Sequence, residues 1–281
     1  MPFQDMLLHI DTYPDPMPEG AIDEAIGFAR RIGGKLSGLA VEVSIPVTKN
    51  PLAFFVDLGG LAREEEQKSR AAMRSAVAYF SERAEVAGVL SSAISERADL
   101  YHAPRVVARR TITRDLCLVS LDGRFDGQVK LAQTVAFRSG RPVIVYQPGE
   151  AALPCETLGL VMLAWDGSPV AAKAMREALP LLQRAPEVRV VTFVHEKEAA
   201  KPGLGREAVR HLIAYNVQAV AEDVSAESGR IGDCLDAYIA AQRPSLLVMG
   251  AYGHSRARAF ILGGATEHVL RRPKVATFLA R

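Results

Sequence analysis

Residues 246–270, LLVMGAYGHSRARAFILGGATEHVL, contain a short apolar run, a glycine-rich loop and the start of a helical pattern. A continuously apolar run is typical of a parallel strand that is buried on both faces. Gly250 and Gly253 follow this run, and Gly263 and Gly264 precede the helix. Glycine lets an anion approach main-chain N–H groups, and a helix N-terminus adds free donors and a favourable dipole. The stretch therefore predicts an anion-binding turn at the carboxyl end of a strand in an α/β sheet.

The pattern of strand, loop and helix occurs twice in the chain. MLLHID, which ends at Asp11, and LVMLAWD, which ends at Asp166, each precede a proline-containing loop and an amphipathic helical pattern. Each copy also closes with an apolar strand after a proline, RPVIVYQP in one and PKVATFLA in the other. These features predict an α/β protein with two tandem, open, parallel-sheet, Rossmann-like domains. We call residues 1–148 the first copy and residues 156–281 the second copy, joined by a Pro/Gly/Ala linker at 147–157.

The composition excludes several classes of protein. The 34 Lys and Arg residues nearly balance the 32 Asp and Glu residues, and no dense basic run occurs, which argues against a nucleic-acid partner. The three cysteines form no CxxC pair, so neither a disulfide framework nor a zinc knuckle is expected. No apolar stretch reaches the roughly 18 residues that would span a bilayer, and the N-terminus lacks the basic region of a signal peptide. The sequence predicts a cytoplasmic protein with no membrane partner.

Common catalytic and metal-binding motifs are missing from the sequence. There is no G-K-[ST], GxGxxG, GxSxG or HExxH, so we expect neither a metal site nor an evident catalytic residue. His9 lies in an apolar run and is expected to be a core histidine with a hydrogen-bond partner. Ser168 is expected to cap the helix that follows Asp166. Trp165 is expected either in the core or in a pocket wall.

The glycine spacing resembles that of a known family. Gly250-x2-Gly253-x9-Gly263, after VMGAYG and before ATEHVLRRP, is similar to the ATP-binding motif G-x2-G-x9-G-[S/T] of the universal stress protein family. Asp166-Gly167-Ser168 resembles the end of that family's first strand, with its adenosine-contacting aspartate. The resemblance covers the whole second copy, and it is fainter in the first copy, at LHID and RPVIVYQP. It implies the adenine nucleotide alpha hydrolase-like fold, a five-stranded parallel sheet in each copy.

The resemblance also implies a ligand, ATP or AMP/ADP, which a Mg²⁺ ion could accompany. Adenosine would meet the end of the first strand, adenine would meet the second strand, and the phosphates would lie on the glycine loop and the helix start. The implied nucleotide-binding residues are Ala164, Asp166, Phe193, Met249, Gly250, Gly253, Gly263, Gly264, Ala265 and Thr266.

The sequence departs from the family motif in both copies. Gly264 occupies the motif's Ser/Thr position, so one hydroxyl ligand is lost, although Thr266 could replace it. By residue count, Ser120 stands where the second copy has Gly250, and Gln133 and Thr134 stand where it has Gly263 and Gly264. We therefore expect the first copy to be a degenerate structural partner.

The resemblance leads to an expected function, a universal stress protein that binds an adenine nucleotide in its second copy. Its role would be in stress response or regulation rather than turnover catalysis. One alternative is a slow ATPase or autophosphorylating protein, with His254 or Thr266 as the acting residue. Another is a nucleotide-free scaffold.

Assembly is a further expectation from the resemblance. Single-domain members of the family typically dimerise, so the two final strands should pair within this chain. We expect Val143, Val145, Val275 and Phe278 to point towards the partner strand, and the apolar loop Leu52–Leu61 to be a candidate surface for a homodimer. Such pairing would hide sheet edges that otherwise invite aggregation.

Overall fold

The computed structural model describes residues 3–47, 57–122, 126–194, 201–226, 230–251 and 264–281. The strands in these ranges are β1 (Asp5–Ile10), β2 (Lys35–Ser44), β3 (Leu90–Asp99), β4 (Leu116–Ser120), β5 (Val143–Tyr146), β6 (Leu160–Ala164), β7 (Glu187–Val194), β8 (Ala219–Ser225), β9 (Leu246–Gly250) and β10 (Thr277–Ala280). The helices are α1 (Glu19–Ile32), α2 (Leu58–Val86), α3 (Ala103–Thr111), α4 (Asp126–Arg138), α5 (Pro169–Glu177), α6 (Leu179–Leu182), α7 (Arg206–Ala214), α8 (Ile231–Gln242) and α9 (Gly264–Arg271).

The strands form one sheet in the order β3-β2-β1-β4-β5-β10-β9-β6-β7-β8. All neighbouring strands are parallel except β5 and β10, which are antiparallel. Each copy therefore contributes a five-stranded parallel sheet with the same internal order. The predicted fold, two tandem open parallel-sheet domains, is confirmed, and the two sheets are continuous.

Helices cover both faces of the sheet. We call the side that packs α1, α2, α5, α6 and α7 the α1 face, and the side that packs α3, α4, α8 and α9 the α4 face. Because successive strand residues point to opposite faces, the continuously apolar strands supply both layers of core. On β1, Leu8 packs on the α1 face and Leu7 on the α4 face, and both are fully buried.

The two copies meet through β5 and β10. Thr277 pairs with Val145, Phe278 with Ile144 and Leu279 with Val143. The expected pairing of the final strands is confirmed, but the expected side-chain arrangement is wrong in one respect. Val143, Val145 and Val275 lie on the α4 face, whereas Phe278 lies on the α1 face with Ile144. Directly paired residues share a face, so the strands join through main-chain hydrogen bonds, and their side chains pack into the two helical layers.

Side chains reinforce this junction on both faces. The rings of Phe3 and Phe278 have centroids 6.2 Å apart, and the guanidinium of Arg281 lies 3.9 Å from the ring centroid of Phe137. Arg184, which follows α6, donates from Nη1 to the carbonyl oxygen of Ile32 at 2.6 Å. The first and second copies therefore share one packed core as well as one sheet.

The expected linker is held against the first copy. Glu24 of α1 accepts hydrogen bonds from the main-chain N–H groups of Gly149 at 3.2 Å and Leu153 at 3.3 Å. Cys155 Sγ donates to the carbonyl oxygen of Glu24 at 3.2 Å. Leu153 is buried. This segment is thus part of the packed structure rather than a free tether.

The first copy is longer because of α2, which has 29 residues. α2 packs closely on β2 because Gly38 lacks a side chain: a Cβ there would lie 2.6 Å from the ring of Phe80. Neither α2 nor another described helix is long and apolar enough to cross a membrane.

The candidate homodimer surface is only partly visible. Residues 52–56 lie outside the described residues. Leu58 and Leu61, at the start of α2, are exposed. Dimerisation through this surface stays a prediction.

A shortened protein of residues 156–281 should self-associate or aggregate. Removing the first copy turns β10 into an unpaired edge and exposes the fully buried side chain of Phe278. Re-exposing one such side chain costs about 1.5–3 kcal/mol. Light scattering, with the full chain at equal concentration as the control, measures the association. A stable monomer would show that the copies are independent.

Candidate functional site

The residues expected to bind adenosine lie on three adjacent strands of the second copy. β6 lies between β9 and β7, so the strand order reverses direction there, and a crevice forms at the carboxyl ends of β6 and β9. Ala164, Phe193 and Met249 stand near these ends, one on each strand, and all three pack on the α4 face. The structure thus brings together residues that are far apart in the sequence.

Asp166 belongs to the turn between β6 and α5. Ser168 donates its main-chain N–H to Asp166 Oδ1 at 3.0 Å, and Ser168 Oγ accepts from the N–H of Ala171 at 3.2 Å. Gly167 has a φ of 72°, which a residue with a side chain rarely adopts. The predicted N-cap at Ser168 is confirmed. This turn fixes the Asp166 carboxylate at the crevice, where it can accept a hydrogen bond.

Gly250 has a packing role that the sequence did not indicate. A Cβ at this position would lie 2.7 Å from both Ala171 N and Val170 C, in the first turn of α5. These are main-chain atoms, which cannot move aside unless the first turn of α5 shifts. Gly250 therefore lets α5 start directly against the end of β9, which brings the Asp166 turn and the β9 end together.

The Phe193 side of the crevice is braced by an aromatic pair. The rings of Phe193 and Tyr238 make an edge-to-face contact with centroids 6.4 Å apart. Tyr238 donates its hydroxyl to Glu222 Oε2 at 2.6 Å, and burial raises the pKa of Tyr238 to about 12. Tyr238 therefore stays neutral and holds Phe193 in place.

α9 begins at the crevice with Gly264, which is exposed. Among the described residues, a Cβ on Gly264 would meet only Ile231 Cγ2, at 3.8 Å, so these residues leave room for a side chain. Ala265 is partly buried and packs on the α4 face, and Thr266 is only 3% exposed. The Thr266 hydroxyl is thus less accessible to a ligand than the sequence analysis predicts. Gly253, Gly263 and His254 lie outside the described residues.

His268 fixes α9 against α8. His268 and Asp236 are 2.9 Å apart, between Nε2 and Oδ2. A Cβ on Gly232 would lie 2.4 Å from His268 Nδ1, so this glycine lets the imidazole approach α8. No local sequence pattern indicates this contact, since 32 residues separate the two partners.

Trp165 packs in the core on the α1 face, the side opposite to the crevice residues. Its indole Nε1 is buried without a hydrogen-bond partner among the described residues. Of the two expected positions, core or pocket wall, the structure therefore favours the core.

The first copy repeats this strand end with different side chains. His9 pairs with Leu39 on β2, and Ala164 pairs with Val191 on β7, so His9 occupies the position of Ala164. By the same register, Val41 occupies the position of Phe193. The first copy thus exchanges a small residue for histidine and an aromatic ring for valine.

The connection after the fourth strand also differs between the copies. Only residues 121–125 separate β4 from α4, whereas residues 251–263 separate β9 from α9. Gln133 and Thr134 lie inside α4, so their expected equivalence to Gly263 and Gly264 at a helix start is wrong. A fixed residue count fails because the connecting loops differ in length. The first copy has no room for the glycine spacing of the second.

His9 and Asp11 form a buried polar pair at this strand end. His9 Nδ1 lies 3.5 Å from Asp11 Oδ1, and it has no hydrogen-bond partner among the described residues, so the expectation that His9 is satisfied is wrong. Gln128 of α4 donates from Nε2 to Asp11 Oδ2 at 3.0 Å. Burial lowers the pKa of His9 to about 4, and burial, with a further contribution from Asp122, raises the pKa of Asp11 to about 7.

Metal ligands are not grouped in the part of the chain that the structure describes. No cluster of three or more His, Cys, Asp and Glu side chains there could hold a metal ion. The described part of the second crevice combines the carboxylate of Asp166, the start of α9 and an apolar wall.

Asp11→Asn should gain stability relative to the wild type as the pH rises from 5 to 7. The pKa of Asp11 is raised in the folded protein, so the wild type loses stability as this carboxyl ionises. Asparagine cannot ionise, and the gain should approach about 1.4 kcal/mol per pH unit and level off above pH 8.

Urea unfolding of both proteins across this pH range measures the difference. Asp15→Asn, at an exposed position in the same loop, controls for the loss of a surface charge. A difference between Asp11→Asn and the wild type that stays constant with pH would contradict the raised pKa.

Residues 159–281 match the family model of the universal stress protein family, and a comparison with curated proteins gives no match. A universal stress protein from Archaeoglobus fulgidus superposes with a TM-score of 0.65 at 15% identity, over 98% of this chain and 96% of that one. A Pseudomonas aeruginosa protein, provisionally named a universal stress protein, gives a TM-score of 0.56 at 18% identity, over 99% and 93%. At these identities the likeness shows the fold. The second copy of this chain belongs to the universal stress protein family, and the first copy repeats its fold in tandem.

Proposed function

We propose that the second copy binds an adenine nucleotide, ATP or AMP/ADP, in the crevice between β6 and β9. The observation that carries this proposal is the placement of Ala164, Phe193 and Met249 on three adjacent strand ends, facing the side from which α9 starts. Ligands of open α/β sheets bind where the strand order reverses.

The two ends of the crevice suit the two ends of a nucleotide. Phe193 offers an aromatic face to a base, and Asp166 offers an acceptor to the base or the ribose. At the other end, the N-terminus of α9 carries the positive end of the helix dipole, which favours an anion. The intervening sequence adds Arg256 and Arg258 and the spacing G-x2-G-x9-G. Phosphates would be held mainly by main-chain donors.

We infer that the nucleotide is a bound signal rather than a turnover substrate. The crevice residues named above supply contacts for binding and orientation, and a protein of this kind would act in stress response or regulation through the nucleotide-bound state. A Mg²⁺ ion bound by the phosphates would add charge neutralisation without protein ligands. The measurement that separates this role from slow hydrolysis is the release of ADP by purified protein.

Gly264→Ser should tighten ATP binding by up to about tenfold. The change restores the hydroxyl of the family motif at the first position of α9, where the Cβ has open space. A hydrogen bond to a charged group contributes about 1.5–3 kcal/mol, of which part is lost in ordering the side chain. Calorimetric titration of both proteins with ATP measures the change.

Gly20→Ser is the matched control, since Gly20 also lies in the first turn of an exposed helix N-terminus with nothing within 4 Å. It should leave ATP affinity unchanged. Affinity that does not rise for Gly264→Ser would place the phosphates away from the start of α9.

The chain should bind one ATP, and Ala164→His should weaken that binding by more than about tenfold. The variant copies the His9 of the first copy into the second crevice, where the larger imidazole fills the space beside Asp166. The variant loses apolar contacts with the base and adds a steric clash. Together these should cost more binding free energy than the roughly 1.4 kcal/mol that a tenfold change in affinity represents.

Calorimetry gives both the stoichiometry and the affinity. His9→Ala, the reciprocal exchange in the first copy, should retain one ATP per chain with unchanged affinity. Two ATP molecules per chain, or full affinity in Ala164→His, would contradict the assignment of the nucleotide to the second crevice.

A further inference from the structure

The first copy contains a cavity of about 260 Å³ at the carboxyl ends of β1 and β2. The strands form its floor, and the N-terminal turns of α3 and α4 form its sides. Its walls are largely apolar and include Val41, Val43, Leu100, Pro104 and Leu131. This volume lies just below the range of about 300–1,000 Å³ that is usual for pockets of drug-sized ligands. The cavity therefore suits a compact molecule that buries most of its surface against apolar side chains.

The polar part of the floor is His9 and Asp11. Gln128 occupies one oxygen of the Asp11 carboxyl group and so determines which atom is left for a ligand. Gln128 uses its Nε2 on Asp11 Oδ2, and its Oε1 accepts from the N–H of Asp122 at 3.1 Å. Asp11 Oδ1 has only His9 Nδ1 at 3.5 Å, which is too long for a strong hydrogen bond. Oδ1 therefore keeps acceptor capacity, and an apolar cavity makes a hydrogen bond to it worth more than in water.

The charges around the floor disfavour an anion. Burial, with a further contribution from the charge of Asp122, raises the pKa of Asp11, so the floor disfavours negative charge. Lys130 lines the cavity as well, but it is exposed on α4, where water screens its charge. The short connection of residues 121–125 also lacks the glycine-rich phosphate loop of the second copy. A ligand for this cavity lacks phosphate and carboxylate groups.

We propose that the first copy binds a small planar molecule, an aromatic amine, amide or amidine, which donates N–H to Asp11 and carries no acidic group. Its ring lies against the apolar walls formed by β2, α3 and α4. The two copies carry different side chains at equivalent positions, and these differences suit a ligand that is not a nucleotide. Val41 leaves open the space that Phe193 fills in the second copy, and His9 adds a polar wall where the second copy has Ala164. The first copy is then a second, distinct binding site and not only a structural partner.

Three probes of one shape test the proposal on the full chain: benzamidine, benzamide and benzoate. Saturation-transfer NMR followed by titration should show binding of benzamidine and benzamide, and at least about tenfold weaker binding of benzoate. The experiment is repeated with saturating ATP, and the result should not change. Benzoate binding as tightly as the other two, no binding of benzamidine or benzamide at millimolar concentration, or their displacement by ATP would each overturn the proposal.

Val41→Phe locates the probe. It places in the cavity the ring that Phe193 supplies in the second copy, and benzamidine binding should be lost. Val86→Phe, the same exchange at the exposed end of α2, is the matched control and should bind benzamidine as the wild type does. Full binding in Val41→Phe would place the probe elsewhere and overturn the proposal.

Asp11→Asn tests the floor independently and decides the matter if Val41→Phe does not fold. Its amide oxygen can still accept from Gln128, which turns the amide nitrogen, a donor, towards the cavity. Benzamidine should then bind at least about tenfold more weakly. Unchanged affinity would show that Asp11 does not receive the N–H group.

Discussion

The antiparallel pairing of β5 with β10 joins two five-stranded parallel sheets into one sheet of ten strands. Each copy alone would end in an apolar strand with an open edge, and Ile144 and Phe278, which lie opposite each other where the two edges meet, are fully buried. The junction also places both helical layers in register across the molecule, so Phe3, Arg184 and Arg281 reach from one copy to the other. The first copy therefore closes this edge of the second copy whatever ligand it binds.

The two crevices share a backbone frame but differ in their side chains and in one loop. Both stand at a reversal of strand order, and both keep an aspartate after the first strand, Asp11 and Asp166. Around these shared features, His9 replaces Ala164, Val41 replaces Phe193, and the long glycine loop is reduced to residues 121–125. The same backbone frame thus offers main-chain donors and an aromatic wall in one copy, and a buried carboxyl in an apolar cavity in the other. We expect the two copies to select ligands of different charge.

Much of this fold could be predicted from the sequence because it depends on local patterns. Apolar runs that end at Asp11 and Asp166 mark buried parallel strands, and Ser168 shows its cap by its place before a helix. β3 could not be found in this way, since Leu90–Asp99 is an edge strand with alternating exposed polar residues. The cavity of the first copy and the pairing of Gln128 with Asp11, 117 residues away, depend on packing between distant segments. The role of Gly250 against α5 is equally non-local.

Native-state hydrogen exchange at β5 and β10 shows whether the two copies form one cooperative sheet. One cooperative sheet predicts that the amides of Val145 and Thr277, which pair across the junction, exchange only by global unfolding, as slowly as those of β4 and β9, which flank the two strands in the sheet. The edge strands β3 and β8 provide the internal reference for faster, local opening. Exchange of Val145 and Thr277 at the rates of these edge strands would show that the junction opens on its own and that the copies do not form one cooperative sheet.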